Sequence, residues 1–130
     1  MKKYDTLIFD LDGTLAESKQ PIESDVADLL SSSSQTLNVV VITGGKFEQI
    51  KKQVIDRLGE DATLTNVYIL PTSGAAMRNY NPDTDSWNEV YTHYLNEEQK
   101  NRIITSLNDA LEKASFTIDP NILKGEQIED

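Results

Sequence analysis

No cysteine occurs in the chain, which excludes disulfides and thiolate metal sites and leaves the redox compartment unconstrained. Histidine is nearly as scarce. His93 stands without a second imidazole or a carboxylate cluster beside it, and it reads as a surface residue of a hairpin rather than a metal ligand. Positive charge is also short: 12 Lys and Arg face 22 Asp and Glu, a net charge of -10, which argues against nucleic acid or an anionic membrane as a partner. A protein this acidic needs a cation as intermediary if it is to handle phosphate. Long apolar runs are missing too. The opening Met-Lys-Lys-Tyr-Asp-Thr leads into only a few apolar positions, too few for a signal segment or a membrane span, so a soluble chain is expected, with the cytoplasm as its default compartment. With 38% hydrophobic residues over 130 positions, there is apolar surface for one small domain, or one and part of another.

What is present is organised around Leu7 to Leu15, Leu-Ile-Phe-Asp-Leu-Asp-Gly-Thr-Leu, a short apolar run that ends in two aspartates two positions apart. Near-continuous apolar runs are the mark of buried parallel strands, and ligands of open α/β sheets gather at the carboxyl ends of such strands. Thr6 to Phe9 are expected as the first strand, Val39 to Ile42 as the second and Val67 to Leu70 as the third. Between them, Pro21 opens a helix with Ile22, Val26, Leu29 and Leu30 on one face, and Ser31 to Ser34 are expected to end it as a flexible surface loop. A second helix carries Phe47, Ile50, Val54 and Leu58 and stops at Gly59. This β-α-β-α-β order predicts a parallel sheet with helices packed on its faces.

The pattern changes after Gly74. Ala75 to Tyr80 and Trp87 to Tyr94 read as an antiparallel hairpin about a turn built from Asn81 to Asp85, and cross-strand packing is the favoured role for Trp87, Tyr91 and Tyr94. Asp83 and Asp85 lack the later ligands of a calcium loop and read as a plain turn. Asn96, with Gln99 three residues on, caps a long amphipathic helix carrying Ile103, Leu107, Ala110, Leu111 and Ala114, and Phe116 to Ile118 are a further candidate strand. A boundary is expected near Gly74, between an α/β part at 1–74 and an α+β part at 75–130.

Two carboxylates at i and i+2 leaving a strand end suit a hard divalent cation such as magnesium. One of them, Asp10 or Asp12, can then attack phosphorus while the other moves the proton. Gly13 permits a tight bend, so that neighbouring amides, that of Leu11 among them, can point at phosphate oxygens, and Thr14 adds a hydroxyl. Thr43, Gly44 and Gly45 supply the complementary half, a hydroxyl and amides at a helix start where an anion is favoured. Gly44-Gly45-Lys46 is not a P-loop, for it has neither the upstream glycine nor the Ser or Thr after the lysine.

Asp10-Leu11-Asp12-Gly13-Thr14 after an apolar strand resembles the first motif of the haloacid dehalogenase superfamily, and Val41-Ile42-Thr43-Gly44-Gly45 is similar to its second. The resemblance implies a parallel Rossmann-like α/β sheet with Asp10 as the nucleophile that forms an aspartyl-phosphate and Asp12 as general acid and base. It further implies that Thr43 contacts phosphate and that magnesium is held by Asp10 and by the backbone carbonyl of Asp12. Pro71-Thr72-Ser73-Gly74-Ala75, leading into a hairpin and a long helix, resembles the branch with a cap inserted after the third strand. That branch includes phosphomannomutases and sugar phosphatases; Gly45 to Ile50 and Lys124 to Glu129 look most like the phosphomannomutase side.

The family's remaining motifs, a lysine that neutralises phosphate and an acidic pair that completes the magnesium site, are not found. Lys124 and Glu129-Asp130 have suitable types in a context that resembles cap sequence. The chain is therefore expected to be the amino-terminal half of an enzyme, incomplete in both core and cap, with its first strand left as an exposed edge that a second copy or the carboxyl-terminal half would cover. Weak catalysis by these residues alone follows. The expected function is magnesium-dependent hydrolysis of a small phosphorylated metabolite such as a sugar phosphate. Its rivals are a hexose phosphomutase and a non-catalytic scaffold that binds phosphate or a partner. A receiver-like module is disfavoured, because its phosphoacceptor would fall at the end of the third strand, where this chain has Leu70-Pro71.

Overall fold

The apolar runs around Ile8, Val41 and Ile69 are too short and too continuous for surface helices, and they pair as parallel strands. In the computed structural model, which describes residues 4–114, β1 (Thr6–Asp10), β2 (Asn38–Ile42) and β3 (Val67–Leu70) lie side by side. The register sets Asp10 beside Ile42 and Ile42 beside Leu70. Helix α1 (Ser24–Ser34) connects the first two strands, and α2 (Phe47–Gln53), followed by single 3₁₀ turns at Ile55–Arg57 and Leu64–Asn66, connects the second pair. Because the strand order is sequential and such crossovers are right-handed, both helices lie on one side of the sheet. The burial follows. Val39, Val41, Val67 and Ile69 form one buried cluster with Ala27, Leu30, Ile50 and Val54, whereas Ile8 on the alternate face is 67% exposed and Val40, Ile42, Tyr68 and Leu70 are half-buried. Helices on both faces were expected; within this unit one face is covered.

The serine run departs most from expectation. Instead of ending the helix, Ser31 to Ser34 are its last turn. Ser31 Oγ donates to the Ala27 carbonyl at 2.7 Å and Ser34 Oγ to the Ser31 carbonyl at 2.6 Å, so each hydroxyl is satisfied within the helix. Both side chains are buried because they also accept from the next connection, Ser31 from Gly59 N and Ser34 from Thr63 N, each at 2.9 Å. The run is a polar seam that anchors the segment leading to β3. The helix begins at Ser24 rather than Pro21, and Leu29 faces solvent, while Ile22 is buried from the loop before it, with its amide bonded to the Gln53 carbonyl. Likewise α2 ends at Gln53 and tightens into a 3₁₀ turn before reaching Gly59.

After β3 the chain reverses, and β4 (Ala76–Asn81) and β5 (Ser86–Thr92) continue the same sheet in antiparallel sense, giving five strands in the order β1 to β5. The change expected near Gly74 is thus a change of strand direction inside one sheet, and by its contacts the chain divides between His93 and Tyr94. Trp87 pairs across the hairpin with Tyr80 (centroids 5.8 Å apart) and packs on Phe47 (5.9 Å), whose ring also lies 5.0 Å from the Arg78 guanidinium carbon. Arg78 is tied in turn to Glu89 at 2.8 Å. Tyr91 donates to the Gly74 carbonyl, and His93 is exposed, its amide bonded to the Ala75 carbonyl. Asp83 and Asp85 are used by the turn: Asn81 Oδ1 accepts from Asp83 N, and Asp85, at φ +49°, accepts from the Tyr80 hydroxyl at 2.5 Å.

In the second unit, α3 (Glu97–Lys113) starts at the expected capping box, with Gln99 N donating to Asn96 Oδ1 and Asn96 N to Gln99 Oε1. No helix among the described residues is long and apolar enough to cross a membrane. The strand expected at Phe116 to Ile118, together with Lys124 and Glu129-Asp130, lies outside the described residues.

Two measurements check this packing. Ile69→Ala should cost about 2–5 kcal/mol in denaturant unfolding, since Ile69 has no exposed surface, whereas Ile8→Ala should stay within about 0.5 kcal/mol. The hydrogen bond to Asp85 holds the Tyr80 phenol above the usual tyrosine range, with desolvation and the carboxylate's charge adding to it. The folded-state pKa is raised, so this stabilisation is present below the ordinary tyrosine range and is lost as pH rises through the raised value. In an absorbance titration of the five tyrosines, the latest to ionise should move back toward the others in Asp85→Asn.

Candidate active site

Three strand ends converge where the sheet turns from parallel to antiparallel. Register carries Asp10, Ile42 and Leu70 to one edge, so the turns that follow β1, β2 and β3 are neighbours. Alternation then separates side chains: Leu11 points into the core and is fully buried, while Asp10 is exposed and Asp12 half-buried on either side of it. Leu11 thus serves as the pivot of the turn. Its carbonyl accepts from the amides of Thr14 (3.2 Å), Leu15 (2.9 Å) and Ala16 (3.1 Å), and Gly13 N closes the loop on the Ala16 carbonyl at 2.7 Å. Gly13 sits at φ +77°, in the left-handed region that favours glycine.

Each aspartate has one oxygen engaged. The Thr14 hydroxyl donates to Asp10 Oδ2 at 3.1 Å, and the Lys19 amide donates to Asp12 Oδ1 at 2.9 Å. Lys19 adopts φ +61° in making that bond. The Asp10 Oδ1 and Asp12 Oδ2 atoms and the Asp12 carbonyl accept no hydrogen bond among the described residues. These are hard oxygen donors of the kind magnesium prefers, and the ion ordinarily keeps several waters, so the Asp10 carboxylate and the Asp12 backbone carbonyl fit a partly hydrated magnesium, leaving Asp12 Oδ2 uncommitted. No group of three or more His, Cys, Asp or Glu side chains converges on a metal position among the described residues.

Thr43 is the second half. It is 6% exposed, its amide donates to the Leu70 carbonyl at 3.2 Å, and Gly44 and Gly45 follow it. Helix α2 begins only at Phe47 and has seven residues, so the donors at this turn are its own amides rather than a long helix terminus, contrary to expectation. The Gly44 amide has no partner among the described residues. The turn after β3, noted in the sequence as Pro71 to Ala75, has contacts that sequence reading did not foresee. Thr72, Ser73 and Gly74 stand at φ +52°, +55° and +85° in succession. Ser73 N donates to the Thr43 carbonyl at 2.8 Å and Thr72 N to the Gly45 carbonyl at 3.0 Å. Pro71 and Gly74 flag a turn in the sequence, but nothing local reveals what its amides bind. Beside the first turn, an open cleft of about 980 Å³ is lined by Gly13, Thr14, Glu17, Pro21 and Arg57 among others, but not by Asp10, Asp12 or Thr43.

Comparison with known proteins bears on the family and the fold. A family model described as haloacid dehalogenase-like hydrolase matches residues 7–127. A phosphomannomutase of Babesia bovis is 43% identical over 51 residues, covering 38% of this chain and 21% of that protein. Among solved structures, the IMP-nucleotidase of Plasmodium falciparum superposes with a TM-score of 0.63 at 19% identity over 85% of this chain and 34% of its own. A haloacid dehalogenase-like hydrolase from Bacteroides thetaiotaomicron gives 0.56 at 22% identity over 87% of this chain and 39% of its own. At these identities the superpositions concern the fold. The chain spans well under half the length of each of these three relatives.

The Gly13 turn has a measurable signature. A Cβ at Gly13 would meet nothing within 4 Å, so Gly13→Ala should cost only the left-handed backbone penalty, about 1–2 kcal/mol in chemical unfolding, and Gly13→Asn should cost less.

Proposed function

The chain belongs to the haloacid dehalogenase-like hydrolase family, and from that membership we propose that it takes part in magnesium-dependent phosphoryl transfer through an aspartyl-phosphate, hydrolysing a small phosphomonoester such as a sugar phosphate. The observation that carries the reading is the register of Asp10 with Ile42, which sets a carboxylate with one unengaged oxygen next to the Thr43–Gly45 turn.

With Oδ2 held by the Thr14 hydroxyl, Asp10 Oδ1 is the oxygen that attacks phosphorus. The bond from phosphorus to the substrate oxygen breaks as the bond to Oδ1 forms, and Asp12 gives its proton to the leaving oxygen. The Lys19 amide fixes Asp12 Oδ1, so that proton is carried on Oδ2. In the second half a water attacks phosphorus, Asp12 Oδ2 takes the water's proton, and the phosphorus–Oδ1 bond breaks to release phosphate and regenerate Asp10. The Thr43 hydroxyl and the amides of Gly44 and Gly45 bind the phosphoryl oxygens, with that of Leu11 facing them from the first turn, where the Gly13 and Thr14 amides are instead bonded to the Ala16 and Leu11 carbonyls. The Asp10 carboxylate and the Asp12 backbone carbonyl would hold magnesium, whose positive charge would let a phosphate approach two carboxylates.

Residues 1–74 carry this chemistry in our reading, and 75–130 are the portion given to covering and selecting the substrate. The unpaired edge of β1 is covered by a second copy or by a carboxyl-terminal half that also brings the phosphate-neutralising lysine and the acidic pair. The cytoplasm is the compartment we assign. A hexose phosphomutase is the second reading, favoured by the 51-residue match to a phosphomannomutase. There the phosphoryl group passes from Asp10 to a sugar hydroxyl instead of water.

The deciding experiment is turnover of a phosphomonoester with magnesium, in the longest chain that the coding region specifies. Asp10→Asn should abolish it, by about 10³-fold or more, and Asp12→Asn should slow it about 10²–10⁴-fold. Unchanged turnover in Asp10→Asn would remove the nucleophile and leave a binding scaffold. A requirement for a sugar bisphosphate activator separates the mutase from the phosphatase.

A further inference from the structure

The strained turn after β3 lies against the amides assigned to phosphate. Three successive residues at positive φ include two with side chains, Thr72 and Ser73, a conformation that costs of order 1 kcal/mol for each. Such residues persist where the surroundings over-determine them, and here the surroundings are two hydrogen bonds to carbonyls of the neighbouring turn, Ser73 N to Thr43 O at 2.8 Å and Thr72 N to Gly45 O at 3.0 Å.

We propose that the Thr72–Gly74 turn is a positioning clamp that orients the Gly44 amide toward the phosphoryl site in front of Asp10. The argument is geometric. In a trans peptide the carbonyl and the following N–H point in opposite directions. The Thr43 carbonyl is drawn toward β3 by Ser73 N, so the Gly44 N–H is turned to the opposite side of β2, and on that side lies β1 with Asp10. The Gly44 amide has no partner among the described residues, and the Gly45 carbonyl, held by Thr72, keeps the next peptide from swinging. An ordered donor stabilises an anion more than one that must first be ordered. Thr72 and Ser73 act through their backbone, so neither is a catalytic residue.

The inference rests on the reading of Thr43–Gly45 as a phosphate site, and the test separates the two. Amide spectra of the full chain are recorded with excess magnesium while inorganic phosphate is added. In the wild type the Gly44 resonance should shift with saturation. In Ser73→Pro the ring fixes φ at about −65° and removes the N–H that draws in the Thr43 carbonyl, so phosphate affinity should fall at least about fivefold. Thr72→Pro removes only the bond to the Gly45 carbonyl; it should show a smaller loss and serves if Ser73→Pro does not fold. Ser73→Gly and Ser73→Ala keep the amide, and glycine is at ease in the left-handed region, so both should bind as the wild type does. A folded proline variant with wild-type affinity overturns the clamp, and so does a loss in Ser73→Ala, which would make the hydroxyl the ligand. Absence of any Gly44 shift in the wild type overturns the phosphate reading and the clamp with it, before any substitution is made.

Discussion

Parallel pairing of β1 with β2, Asp10 beside Ile42, is the constraint on which the rest of the molecule depends. Side chains in a strand alternate with period two, so a slip of one residue would carry Val39 and Val41 out of the core and turn Asp10 to the other face. Burial of Val39, Val41, Val67 and Ile69 under α1 and α2 opposes that slip with several side chains' worth of hydrophobic free energy, about 1.5–3 kcal/mol for each full burial. The same pattern that stabilises the sheet therefore sets Asp10 next to the Thr43 turn. Sequential strand order has a second consequence, in that both crossover helices fall on one side, leaving Ile8 bare on the other.

Polar groups make the remaining joints. Ser31 and Ser34 each donate to a carbonyl of their own helix and accept an amide from the chain that leads to β3, so two buried hydroxyls are fully satisfied and two loop amides are tied down. Leu11 does the apolar counterpart at the site: its buried side chain fixes the turn while its carbonyl gathers three amides. Backbone strain collects at the same edge. Lys19 at positive φ donates to Asp12, and Thr72 and Ser73 at positive φ donate to the Thr43 turn, so left-handed residues here sit where their amides tie the turns of this edge together.

Most of the sheet was legible from local pattern because short apolar runs bounded by Asp, Gly and Pro leave few alternatives to buried strands, and the Asn96 capping box carries its own partners within three residues. The candidate site was legible for a similar reason: the Asp10–Thr14 and Thr43–Gly45 clusters each pack chemistry into a few consecutive positions. The serine run was misread, because four serines signal a loop when partners are sought nearby, and theirs lie at Gly59 and Thr63. The hairpin aromatics were read as cross-strand packing, and Trp87 does pack on Tyr80 and Phe47.

By itself the sequence determined which strands form, since these follow from local composition and spacing, and it singled out Asp10 to Thr14 and Thr43 to Gly45 as the candidate site. Tertiary structure alone decided which face of the sheet is covered, what the buried serines hold, and that the turn after β3 ties the carbonyls of the turn after β2. Those are contacts between residues tens of positions apart, and their partners are chosen by register and crossover handedness, quantities that no window of sequence contains.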